Sequence, residues 1–463
     1  MKHTLKWRTL VVAVVCIAAL LAFTACGSKS FSLQASQVSA DVLGEQAYAT
    51  LTDIATNHKD RTYAAQQDIA LARSFADMLR ACGYEPSQRY SVQADGKTEY
   101  GLQSYDYMVQ NESGEKQQYT AYNVKYGITR PQATQTIVLA ANYGTSNATV
   151  DGSYESGAGV AVLLTVARAI AAQDIGYNIE IVLLGADNAS LYGSQAYYDS
   201  LTPAARDQIA LYIAFDQPVG GDYLYLYGRD WQTDYQDYFY AVAQTTQTAT
   251  QPIPADKHVV RGKYTDNATQ EYFHIGMIGQ GYYFQNIGIP TLSVASRNWS
   301  DASNPYGVER AGLANVQYTE SDSLLEMNNR LGGADKTARA LGEAAAVIVA
   351  GLTEQPETLV QVLNAAQEQA AVRGGQEYGV QLALEITLKV LAVAAVIALL
   401  LLARKYVRNH KDAYTARMQQ AQQQHMPQQQ NVDVFGEDLS AGTHGQNGSD
   451  DNTGGSDGVF EDF

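Results

Sequence analysis

VLLGADNASLYGS, Val182 to Ser194, changes character halfway along. Its first half continues YNIEI as an apolar run of the kind a buried strand presents, and it stops on the polar pair Asp187-Asn188. The next stretch, SLYGSQAYYDSL, has helical character. Strand, polar loop and helix in that order form one unit of an α/β sheet, and such sheets place their chemistry where the strands end. Asp187 therefore stands where a functional carboxylate is expected. The bland alternative is that it caps the helix behind it.

On either side of this unit the same alternation repeats. AYATLTDIATN and AAQQDIALARSFADMLRACG are expected as amphipathic helices, the second stopped by Gly83. YNVKYGI and TQTIVLAANYG are expected as strands, SGAGVAVLLTVARAIAAQ as a helix, and LYGSQAYYDSL and TPAARDQI as short helices before the strand ALYIAFDQ. After an irregular, polar region come the strand NIGIPTLSVAS and the closing helix ADKTARALGEAAAVIVAGL. The fold class is thus α/β, with a mixed, mainly parallel central sheet and helices on both faces. One domain is expected from about 31 to 352. The 32 tyrosines are assigned to surfaces and interfaces.

The ends of the chain carry other information. Residues 1–26 have a basic start, an apolar run and small residues before Cys26, which is secretory-signal architecture. FTAC followed by Gly-Ser also resembles a bacterial lipoprotein cleavage box, which would place a lipid on Cys26; an uncleaved anchor is the alternative. A second apolar run, 386–403, ends on RKYVRNHK. Its length suits a transmembrane helix, and its basic flank marks the cytoplasmic side. A stalk (353–385) and a disordered cytoplasmic tail (404–463), a candidate for docking a partner, complete the expected plan. Cys82 is left as a small core residue. With 463 residues, 46% of them hydrophobic, and a net charge of −17, the chain has material for a large core and is unsuited to nucleic acid.

Polar residues fall at successive strand ends: Asn142 in LAANYGT, Asp187 and Asn188 in LLGADNASLYGS, and Asp216 in IAFDQPVGG; Glu155 in DGSYESGAGVA precedes a helix. These segments, with RACGYEPSQRY, NIGIPTLSV and VQYTESDS, resemble the di-zinc aminopeptidase family that includes glutaminyl cyclases. The resemblance runs from about Arg61 to Leu352. It implies a zinc-exopeptidase-like fold and a site of two His, a bridging Asp, a Glu and an Asp around two zinc ions, with a further Glu as general base. Carried over, the first His falls on Asn142, the bridging Asp on Glu155, the general base on Asp187, the Glu ligand on Asn188, the Asp ligand on Asp216 and the last His on Tyr318. A family Ser-Asp-His corresponds to GQG at Gly279 to Gly281.

Amides are poor zinc ligands, and a phenol must first deprotonate. Between residues 31 and 352 the histidines are His58, His258 and His274, none near Asn142 or Tyr318 in sequence. The expectation is therefore a pseudo-peptidase without a metal cofactor, anchored outside the cell membrane and used to bind a peptide or protein or to scaffold. The alternative is an active hydrolase with an atypical carboxylate site of Glu155, Asp187 and Asp216 that holds zinc. A structural Ca²⁺ or Mg²⁺ on those oxygens is a minor variant. A third possibility makes the external domain a spacer and puts the function in the tail.

Overall fold

The computed structural model describes residues 31–87, 101–110, 114–146, 148–189, 191–228, 233–252, 281, 284, 289–297, 319–374, 395–396, 398–406 and 411–424. Cys26, His258, His274, Gly279 and Tyr318 lie outside them.

Eight described strands form one sheet. They are β1 (Glu85–Pro86), β2 (Leu102–Gln110), β3 (Lys116–Ile128), β4 (Thr136–Asn142), β5 (Asn178–Leu184), β6 (Ile209–Phe215), β7 (Tyr223–Tyr227) and β8 (Thr291–Arg297). The order is β1-β3-β5-β4-β6-β8-β7, with β2 paired to β3. β4, β5, β6 and β8 are mutually parallel, while β3 runs antiparallel to β5 and β7 antiparallel to β8. The mixed, mainly parallel sheet expected from the sequence is present. The four parallel strands carry near-continuous apolar runs because both faces are covered. Along β4, Ile137, Leu139 and Ala141 enter one core cluster and Val138 and Ala140 the other.

The larger cluster is built with α1 (Ala40–Asn57), α2 (Ile69–Ala81) and α3 (Ala158–Ile170). α3 is buried nearly all round, as its sequence AGVAVLLTVARAI requires. α4 (Tyr192–Ser200) and α5 (Pro203–Asp207) cover the opposite face through Tyr197, Leu201 and Ala205. Cys82 is buried, in keeping with a core role.

Four features differ from expectation. The region after Asp216, expected to be irregular, contains β7 and helix α6 (Thr233–Thr245). In β7 (YLYLY) Leu224, Tyr225, Leu226 and Tyr227 are all buried, so tyrosine is filling both faces of a strand. Tyr84, Tyr126, Tyr143, Tyr197, Tyr212, Tyr235 and Tyr238 are also among the largest fully buried side chains, which corrects the assignment of the tyrosines to surfaces. A phenol ring can be buried when its hydroxyl finds an acceptor. Tyr238 donates to Gly351 O (2.7 Å) and Tyr84 to Ala167 O (2.9 Å).

The closing helices are α7 (Leu324–Leu331), α8 (Ala334–Thr353) and α9 (Pro356–Gly374). α9 falls in the segment set apart as a stalk, yet Leu359, Leu363 and Ala366 are fully buried in the main core. The compact unit runs to Gly375. In hydrogen exchange the amides of Leu359 to Gln367 are expected to be protected together with those of α6 and α8. Exchange at the rate of an exposed linker would show that α9 does not belong to the core.

Within the stretch read as a disordered tail, Lys411–Gln424 form helix α10. Its Ala-, Gln- and Met-containing sequence favours helix even though it has no apolar face to bury. Among the described residues no helix is long and apolar enough to cross a membrane. Of the run 386–403, residues 395–396 and 398–403 are described and helical, with Leu399, Leu400, Leu401 and Leu402 all more than half exposed.

Candidate active site at the strand ends

Asn142, Asp187 and Asp216 sit just where β4, β5 and β6 finish, so the parallel register brings three loops to one end of the sheet. The loop after β4 closes on itself. Asn142 Oδ1 accepts from Gly144 N (2.9 Å) and its Nδ2 donates to Gly144 O (3.4 Å), turning the side chain back onto its own backbone. At Gly144 a Cβ would lie 2.6 Å from Asn188 Oδ1 and 2.7 Å from Gln66 Nε2, so a side chain there would push both of these side-chain ends aside.

Glu155 lies in a single π turn, Ser153–Gly157, entered through Gly152 at a left-handed φ of 57°. Its carboxylate is buried and occupied. It accepts from Ser146 N (3.0 Å), Ser146 Oγ (2.7 Å) and Asn188 Nδ2 (3.3 Å). The Asn188 amide thus donates into Glu155 at the place where the resemblance puts a second metal-binding carboxylate. Burial raises the Glu155 pKa, opposed by these hydrogen bonds and by Arg61.

Asp187 is enclosed as well. Its two oxygens accept from Ser194 N (2.6 Å) and Ser194 Oγ (2.9 Å), so it does cap the first turn of α4. Burial pushes its pKa up to about 7; Ser194 pulls the other way and nearby Asp216 adds to the rise. Asp216 is half-buried, with its N–H on Val294 O (3.0 Å).

Behind these residues lies a buried ionic layer that the sequence reading did not single out. The fully buried Arg61 donates to Tyr143 O (2.7 Å), His58 O (2.6 Å), Gly152 O (3.2 Å) and Ser156 Oγ (3.1 Å). Burial lowers its pKa to about 10 against the opposing pull of Glu155, Asp151, Asp322 and Asp60. Asp322 accepts from Tyr154 N (2.7 Å) and Glu155 N (2.9 Å), and burial pushes its pKa up to about 7. Gln66 ties the layer to the Asp187 loop, donating to Arg61 O (2.6 Å) and accepting from Ala186 N (2.6 Å). Asp322 lies within VQYTESDS and Arg61 opens the region of resemblance. No local pattern in the sequence, however, pairs them across about 260 positions with the π turn.

The backbone around the carboxylates is strained. Ala186 (φ 47°), Leu191 (φ 61°) and Gln217 (φ 51°) are non-glycine residues in the left-handed region, flanking Asp187 and Asp216. Such conformations cost about 1 kcal/mol or more each and persist where the surroundings enforce them.

The structure thus brings Glu155 and Asn188 into contact and Asp187 near Asp216, while Asn142 turns to Gly144. Metal ligands must aim free lone pairs at a common point. Asn142 is turned onto its own loop, Glu155 and Asp187 accept hydrogen bonds from Ser146, Asn188 and Ser194, and Asn188 aims its NH₂ at Glu155 while its Oδ1 is buried without a partner. Among the described residues no group of three or more His, Cys, Asp or Glu side chains is placed to hold a metal ion. The described residues do not fit a pair of zinc ions.

Residues 123–304 match the model of peptidase family M28. No curated protein matches the chain. Among solved structures it is similar to the glutaminyl cyclase of Porphyromonas gingivalis, at 19% identity and a TM-score of 0.46 over 67% of this chain and 98% of that one. A zinc aminopeptidase from Bacillus subtilis matches at 11% identity and a TM-score of 0.48, over 67% and 96%. The Bacteroides thetaiotaomicron glutaminyl cyclase bound to N-acetylhistamine matches at 14% identity and 0.45, over 68% and 99%.

Proposed function

We propose that the chain is a membrane-anchored, extracytoplasmic protein whose M28-type domain is a pseudo-peptidase, retained to bind a peptide or protein ligand or to scaffold, without zinc. The observation that carries this reading is the hydrogen bond from Asn188 Nδ2 into the buried Glu155. Di-metal hydrolysis needs cations held by several anionic or imidazole ligands so that a bound water is acidified. An amide donor is neither of these, and the Glu155 carboxylate already holds Ser146 and Asn188. The strain kept at Ala186, Leu191 and Gln217 favours a binding surface over a passive spacer, because a spacer gains nothing from it. Membrane anchoring is supported by the exposed run Leu399 to Leu402 and the basic cluster behind it, with the tail inside as a candidate partner site. Anchoring through lipid on Cys26 is supported by the cleavage-box sequence.

The purified chain is expected to contain no stoichiometric zinc by elemental analysis and to hydrolyse no aminoacyl substrate when zinc is added. About two zinc per chain, or chelator-sensitive turnover lost in Asp187→Asn, would instead establish an active hydrolase built on Glu155, Asp187 and Asp216.

A further inference from the structure

The β2–β3 ribbon projects from the end of the sheet that carries the site. β3 pairs with β5 only over Val124 to Ile128, beginning opposite Leu183 near the end of β5. Residues 116–123 therefore run on past β5 by about 25 Å, paired with β2 alone among the described strands. The ribbon is fastened to the loop of Asp187 and Asn188. Tyr105 OH donates to Gly185 O (2.5 Å), and the Asn123 amide accepts from Gly185 N (3.0 Å) and donates to Gly193 O (2.9 Å).

One bond fixes which backbone groups of β2 face outwards. Lys125 N donates to Gly101 O (2.7 Å), and these residues lie opposite each other in the register that pairs Leu102 with Val124. In an antiparallel ladder such bonded pairs alternate with unbonded ones. Gln103, Tyr105, Tyr107 and Val109 thus bond to β3, while Ser104, Asp106 and Met108 turn N–H and C=O to the outer edge. Among the described residues no strand pairs with that edge, and Tyr192 touches it, its hydroxyl donating to Met108 O (2.8 Å). Proteins commonly blunt an open edge with lysine, proline or a bulge. β2, LQSYDYMVQ, has none of these: its nine residues keep an unbroken register, and Asp106 is its one charge.

We propose that the outer edge of β2 takes up an extended peptide as an added strand, with a basic residue opposite Asp106 and apolar residues against the tyrosine face. This rests on the peptide-ligand reading above and gives that ligand a place on the fold. Added strands are held by main-chain bonds and selected by alternate side chains, and β2 offers two unlike faces. On one, Tyr105 and Tyr107 cluster with Tyr119 and Tyr192, the Tyr107 ring lying 5.0 Å from that of Tyr192 and 6.3 Å from that of Tyr63. On the other, Asp106 is exposed and accepts from two neutral groups of β3, Thr120 Oγ1 (2.7 Å) and Gln118 Nε2 (3.0 Å). A lysine or arginine of the incoming strand would supply a counter-charge, on a chain whose net charge is −17. A second copy of β2 fits worse. The antiparallel pairing of greatest overlap sets Asp106 opposite its own copy, and like charges directly opposite destabilise a sheet.

The test uses the full chain in detergent and a short fluorescent peptide in which valine and lysine alternate. Anisotropy is expected to show binding that Ser104→Pro and Asp106→Lys each weaken about tenfold, the worth of one or two hydrogen bonds. Proline at position 104 removes an outward N–H and no ladder bond, which an edge strand tolerates. Asp106→Lys leaves every backbone group in place, so the charge arm stands even where the proline variant fails to fold. A peptide of equal charge interrupted by proline is expected to bind as weakly as the variants. Equal affinity for the two peptides, equal affinity of wild type and Asp106→Lys, or no binding of the alternating peptide below about 1 mM would overturn the added strand. A concentration-dependent dimer abolished by Ser104→Pro would overturn it too, by giving the edge to a second copy. Zinc in the preparation or cleavage of the peptide would count against the pseudo-peptidase reading alone.

Discussion

Arg61→Met is expected to destabilise the domain by about 3 to 5 kcal/mol, the usual consequence of removing one partner from a buried ionic group. The guanidinium is fully buried and supplies hydrogen bonds to His58 O, Tyr143 O, Gly152 O and Ser156 Oγ. It is also the cation facing Glu155, Asp151 and Asp322. Methionine fills similar volume but leaves four acceptors and three carboxyl groups without it. Urea unfolding of wild type and variant at pH 7.5 measures the loss. A loss below about 1 kcal/mol would mean that the carboxyl groups take up protons when the guanidinium goes, so that little charge is left uncompensated.

Asp187→Asn is expected to act in the opposite direction and only at high pH. The folded protein holds this carboxyl at about 7 against an ordinary 3.8, because it is buried. A raised carboxyl pKa favours the fold fully below the unfolded value and loses that contribution as pH rises to the folded value. At pH 8 the wild type thus carries a buried charge that asparagine lacks, while the amide oxygen can still accept from Ser194. The variant should be more stable by about 2 to 4 kcal/mol at pH 8, with the difference vanishing towards pH 4. Parallel unfolding curves at the two pH values decide it. Destabilisation at pH 8 would mean that the Asp187 anion is itself stabilised, as a bound cation would do, and would favour the hydrolase alternative.

Elements buried on both faces by aliphatic residues were legible from sequence. β4, β5, β6 and β8 show themselves as short apolar runs, and the loops that carry Asn142, Asp187 and Asp216 begin where those runs stop. β7 and α6 were not, because YLYLY and TDYQDYFYAVAQT bury tyrosines that composition counts as half polar. α9 was missed for a related reason. PETLVQVLNAAQEQAAVRG has few apolar positions, and only its packing shows that Leu359, Leu363 and Ala366 are enough to seat it. At the site, the residue types Asn142, Glu155, Asp187 and Asn188 could be read directly. Their hydrogen-bond partners could not, since Ser146 with Glu155, Ser194 with Asp187, and Arg61 with the π turn are meetings that depend on the whole fold.

The hydrogen bond between Asn188 and Glu155 also bears on how sequences near this one can change. Asn188→Glu alone would set a second carboxylate against a buried one with no cation between them, and such like charges repel strongly at low dielectric. Asn142→His alone would give up the turn that seats Gly144. Either single step towards a metal-binding set is therefore uphill in folding energy. The amide works as a latch: while it holds Glu155, the two positions can change favourably only together.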